Sequence, residues 1–141
     1  MAHPAQMLQL AARLSDEGNR LDDALFWFYA GQLRWRIELA CDPPEPGGEG
    51  VVLGAMMGTL GPMINRYAAS DVDNWLAMIA RVLEWDARTP DPFMDQNQAR
   101  CAAARSEQRS GLANLAEQIE EQREALEHTN APDRREPGPE R

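Results

Sequence analysis

Few side chains in this 141-residue chain are of a type and spacing that do chemistry. The two histidines, His3 and His128, lie near the two ends, where a ligand or a general base is hard to hold in place. No HExxH, CxxC pair or His–carboxylate cluster stands along the sequence, so no metal is expected. GxSxG, GxGxxG and GxxxxGKS/T are all missing, which leaves no nucleophile elbow and no phosphate cradle to place. Paired carboxylates for acid–base work need burial, and only Asp86 shows a hint of it. Neither catalysis nor a cofactor is expected.

The remaining reactive groups have structural readings. Cys41 and Cys101 have no CxxC spacing and no neighbouring His. They are expected as reduced, partly buried thiols, with a disulfide between the end of one helix and the start of another as the alternative. Glu117, Glu120, Glu121, Glu124 and Glu127, with Arg123, fall on one side of a helical stretch and read as a solvated face. Gly54-Ala55-Met56-Met57-Gly58 has the GxxxG spacing of close helix packing.

Composition narrows the partners. Asp and Glu number 23 against 14 basic residues, for a net charge of −9. Such a surface repels phosphate backbones, so no nucleic acid is expected. It steers basic protein partners instead. Every basic residue is arginine, which fits a GC-rich coding sequence and suits a bacterial source. Met1-Ala2-His3-Pro4 has no basic region leading into an apolar run, and no apolar stretch reaches about 18 residues. No membrane is expected, and the cytoplasm is the default compartment.

These side chains must be positioned by helices, because apolar residues recur at three- and four-residue steps throughout. The first segment spans about Pro4 to Asp16, with Pro4 in its first turn and Gly18-Asn19 as its stop. The second spans Leu21 to Cys41, with Asp22 and Asp23 against its positive end and Asp42-Pro43-Pro44 closing it. The third covers about Val51 to Ala69 and is expected as two short helices or one kinked helix, with the break near Leu60–Pro62 and a strand at Val51–Leu53 as the minor alternative. The fourth runs from Asp71 to Ala87, capped by Ser70 or Asp71. The fifth runs from about Asp95 to Thr129, with Asp95 and Gln98 resembling a capping box. Ala131–Arg141 reads as a disordered tail. The reading is an all-α, four- to five-helix bundle, residues 1–130 forming one domain, with a long C-terminal coiled-coil-like helix.

The second segment is apolar on most sides and is the predicted core helix. Its polar sector carries Trp27, Gly31, Arg34 and Glu38, in which exposed Trp and Arg suggest a partner-binding surface with Gly31 as a notch. The competing reading is that another helix or the proline loop covers Trp27. Arg36 lies inside the apolar arc, and Asp86 lies inside the apolar face of segment four. A buried charge needs a partner, so Arg36 and Asp86 are predicted to pair. In segment five, Leu112, Leu115, Ile119 and Leu126 form a narrow seam that packs on this chain's own bundle or on a second copy, giving a homodimer.

Ala11-Ala12-Arg13-Leu14, Gly18 and Leu21 through Ala30 together resemble one tetratricopeptide/Sel1-type helical hairpin. Gly18, Ala24, Trp27 and Ala30 would take that family's packing positions. The resemblance spans residues 11–34 with no second repeat. It implies a hairpin that serves as a protein-binding scaffold, with Trp27 partly packed into it. The leading expectation is a non-catalytic protein-interaction module, such as a small acidic inhibitor or immunity-type protein on a basic partner. The alternatives are a structural homo-oligomer through the C-terminal helix, or a small-ligand binder or enzyme near Arg36, Asp86 and the tryptophans.

Overall fold

The computed structural model describes residues 3–43, 48–92 and 98–128. Five long helices account for nearly all of them, and no strand occurs among the described residues. They are α1 (Pro4–Asp16), α2 (Leu21–Cys41), α3 (Glu49–Ala69), α4 (Val72–Arg88) and α5 (Ala99–Glu121). A further short helical stretch covers 123–128. The fold is an all-α bundle.

α1 begins with a capping box built on a histidine. His3 Nδ1 accepts from Ala5 N at 2.9 Å, and the His3 backbone N–H donates to Gln6 Oε1 at 2.9 Å. Two of the helix's orphan donors are thereby satisfied. After α1, Gly18 takes φ +75°, a left-handed turn that glycine adopts without steric cost. The chain reverses there into α2, and α1 lies along α2 as a helical hairpin. They approach tightly at Gly31, where a Cβ would stand 3.0 Å from Met7 Cβ and 3.1 Å from both Leu8 Cγ and the Pro4 carbonyl oxygen.

α2 packs against all four other helices. Leu25, Phe28, Trp35 and Ile37 are essentially without solvent contact. Each contributes about 1.5–3 kcal/mol of burial energy, so α2 is the predicted core helix. α4 is capped by the Asp71 carboxylate, which accepts from Asn74 N at 3.2 Å, and it buries Val72, Trp75, Met78, Ile79 and Val82.

Three expectations are corrected. α3 is neither two short helices nor a strand at Val51–Leu53: it is one helix from Glu49 to Ala69 with Pro62 inside it. Pro62 removes the bond to the Gly58 carbonyl, but both residues lie on the exposed side, where water can serve that oxygen. α5 ends at Glu121 rather than continuing to Thr129, and Gln122 interrupts it before 123–128. Cys41 and Cys101 are not free thiols: they form a disulfide across 60 residues, with Cα atoms 4.4 Å apart. The Asp95 capping box, the proline loop beyond Pro43 and the tail from Ala131 lie outside the described residues.

The C-terminal seam packs on its own bundle. Ile119 is buried, and Leu112, Leu115 and Leu126 rest against the core. Glu117, Glu120, Glu121 and Glu124 face solvent. Arg123 pairs with Glu120 on this face and with Asp73 of α4, each at 2.8 Å.

Candidate functional site

The charged pair predicted between α2 and α4 exists with a different arginine. Arg34, not Arg36, meets Asp86: Nε donates to Oδ1 at 2.5 Å, and both side chains are 1% exposed. The same guanidinium donates to the Thr89 carbonyl at 2.5 Å and lies over the Trp85 ring, 4.5 Å from its centroid. Arg105 and Arg109 of α5 reach Asp86 Oδ2 at 3.2 and 2.6 Å. Arg109 also donates to the Leu83 carbonyl at 3.0 Å. Burial alone would raise the Asp86 carboxyl. Hydrogen bonds from Arg34 and Arg109 and the charges of Arg34 and Arg105 outweigh it and hold it below its ordinary value. Arg36 is two residues further along α2, about 200° round the helix, and is exposed. A helical wheel placed Arg34 in the open sector because it could not show that α4 and the segment after it lie there.

The predicted surface of Trp27, Gly31, Arg34 and Glu38 is therefore not one open face. Arg34 is buried in the ion cluster. Gly31 is buried where α1 crosses. Trp27 is half-buried, with its ring edge-on to Phe26 at 5.0 Å and to Trp85 at 5.8 Å between centroids. Glu38 points at the start of α1.

At that point three elements converge. His3 Nε2 is 3.3 Å from Glu38 Oε2 and 3.7 Å from Glu49 Oε1. Trp35 Nε1 donates to Glu49 Oε1 at 2.9 Å. The other Glu38 oxygen, Oε1, is buried with no hydrogen-bond partner. Burial pushes the Glu38 carboxyl up; His3 pulls it down, while Glu49 and Asp91 push it further up. A His–carboxylate cluster was read as missing because positions 3, 38 and 49 are remote along the chain. The one signal was His3 directly before Pro4, an N-cap position that orders the residue instead of leaving it at a loose end.

A cavity of about 310 Å³ lies between α2 and α5, lined by Tyr29, Gln32, Arg36, Gln108, Leu112 and Gln118 among others. Tyr29 is pushed up to about 12 by burial, so it stays protonated at neutral pH. Its hydroxyl donates to Asn65 at 2.8 Å and lies 3.3 Å from the Trp75 indole nitrogen. Amides, an exposed guanidinium and a protonated phenol supply neither a nucleophile nor a base near neutrality.

The outward side of α3 is different. Val51, Val52 and Met63, at 61, 48 and 45% exposure, are the large hydrophobic side chains left in water among the described residues. All three belong to α3, and no charged residue occurs from Gly50 through Asn65. With Ala55, Gly58, Thr59 and Pro62 they occupy one exposed sector. Gly54 and Gly58 do not mark close packing within the chain: a Cβ on either would meet nothing within 4 Å. Only the neighbouring Gly61 faces the core, against Phe28.

No family model, no curated protein and no solved structure matches this chain.

Proposed function

We propose that this chain is a non-catalytic protein-interaction module that docks a helix of another protein along the outward side of α3. The observation that carries the reading is the gathering of Val51, Val52 and Met63 on one charge-free helix face. Val51 and Val52 at the start of this helix side and Met63 about three turns on put every large exposed hydrophobic side chain among the described residues on one element, which is the mark of a contact surface rather than of scatter. Open glycines at 54 and 58 let a partner backbone approach closely. The net charge of −9 favours a partner whose docking helix has basic flanks. The interaction surface thus moves from the α2 stripe to α3. An acidic inhibitor of a basic protein is one form of this reading, and the charge speaks against nucleic acid.

The test is Val52→Asp. The side chain is about half exposed, so the variant keeps its helical spectrum and melting temperature. Capture of a partner from the source cell should fall at least tenfold, while Glu117→Arg on the far charged face leaves it intact. Equal capture by wild type and Val52→Asp overturns the reading.

Self-association is the second reading. The α5 seam is largely taken up by the chain's own core, with Ile119 buried and Leu112, Leu115 and Leu126 partly so, so a second copy would meet α3. Sedimentation of wild type and Val52→Asp separates the two: a dimer that dissociates in the variant makes the occupant a second copy. No described helix is long and apolar enough to cross a membrane. Cytoplasmic residence is in tension with the Cys41–Cys101 bond, since such bonds persist mainly in oxidising compartments. Thiol alkylation during extraction decides between them.

A further inference from the structure

The geometry points to a divalent transition-metal site formed by His3, Glu38 and Glu49, where the cap of α1, the last turns of α2 and the first turn of α3 meet. One imidazole nitrogen and two carboxylates are a donor set suited to Zn²⁺ and its neighbours. The spacing fits. Ligand atoms about 2.0–2.2 Å from a tetrahedral ion lie about 3.3–3.6 Å from one another. Here Nε2 stands 3.3 Å from Glu38 Oε2 and 3.7 Å from Glu49 Oε1, and one donor atom from each residue falls within 4.8 Å of the others. The three donors thus stand near the spacing of a coordination shell, and small side-chain shifts would bring them onto one ion.

Two further observations point to a cation. Glu38 Oε1 is buried and accepts no hydrogen bond, an expensive arrangement unless something else satisfies the carboxylate. The Trp35 indole N–H donates to Glu49 Oε1, the oxygen that faces His3, at 2.9 Å and fixes the orientation of that carboxylate. Electrostatics agrees: Glu49 and Asp91 both repel charge on Glu38, and a bound cation relieves that repulsion.

The ligation chemistry balances. In the cap, Nδ1 accepts the Ala5 N–H, so the neutral ring carries its proton on Nε2. Metal capture takes the Nε2 lone pair, the ring proton moves to Nδ1, and the single Ala5 cap bond is exchanged for the metal bond. Nothing is oxidised or reduced. Because the ligands come from three helices, binding pins the start of α1 and the start of α3 onto α2.

Titration with Zn²⁺, followed by calorimetry, and with Co²⁺, followed by its visible absorption, tests the site on the full chain. Wild type should take up one ion per chain, and Zn²⁺ should raise its melting temperature. Glu38→Gln keeps the shape of the side chain and removes its charge. It should weaken binding at least tenfold and abolish the thermal shift, and Glu49→Gln should do the same. Unchanged affinity in the Glu38→Gln, Glu49→Gln double variant would mean that His3 and the chain start bind metal alone, which overturns the site. Absence of a thermal shift in wild type at saturating Zn²⁺ overturns it equally.

Discussion

Arg34 and Arg36 show how much one position on a helix decides. Both are arginines on α2, yet one is locked in a cluster with Asp86, Arg105 and Arg109 and the other is exposed at the rim of a cavity. Removing one partner of a buried pair leaves the other charge uncompensated. Arg34→Ala should therefore cost about 3–5 kcal/mol, and Arg36→Ala should stay within about 0.5 kcal/mol of wild type; urea denaturation of both checks this. The cluster also has a pH signature. Asp86 is held below the ordinary aspartate range in the folded chain, so the unfolded chain takes up that proton first. The stability Asp86 contributes is complete above that ordinary value and is lost as pH falls through the lower, folded one. Asp86→Asn should flatten that acid limb of the stability profile while lowering stability at neutral pH. An acid limb as steep in the variant as in wild type would assign the loss to other carboxylates.

At the scale of elements, glycine has opposite meanings on α2 and α3. Gly31 is a contact point: a methyl group there would press on Met7, Leu8 and the Pro4 backbone at 3.0–3.1 Å. Gly31→Ala should force α1 away from α2 and cost about 1–3 kcal/mol, less the gain in helix propensity. Gly54 faces open space, and Gly54→Ala should stabilise the chain by up to about 1 kcal/mol through propensity alone. Thermal melts of the two single variants should therefore shift in opposite directions, and shifts of the same sign would contradict the packing described. Sequence alone treated both glycines by spacing: one as a surface notch, the other as a packing motif. Spacing reports which face a residue occupies, not whether another helix covers that face, and here the two assignments reversed.

For the whole molecule, the Cys41–Cys101 bond is the longest covalent constraint. It ties the end of the core helix to the start of α5 across 60 residues. A crosslink of that span restricts the unfolded chain by about 4 kcal/mol in the chain-entropy account. Cys41→Ser with Cys101→Ser should lose about 2–4 kcal/mol, measured as the difference between the urea midpoints of the two proteins. An identical midpoint would mean the bond adds nothing to the folded state. The bundle also divides its surface into distinct regions: an acidic side on α5, an ion cluster closed by arginines, and an uncharged exposed strip on α3.

Sequence by itself determined the all-α class, the ends of α1 and α2, the place of α4 to within a residue, the central position of α2 and the need of Asp86 for a buried cation. Those follow from local chemistry: 3.6-residue periodicity, caps, prolines, and the cost of burying charge without a partner. Only the tertiary structure decided which arginine answers Asp86, which helix face stays uncovered, and that His3 meets Glu38 and Glu49. Such facts depend on residues remote along the chain arriving at one place, and the azimuth of a side chain on its own helix does not record what packs against it.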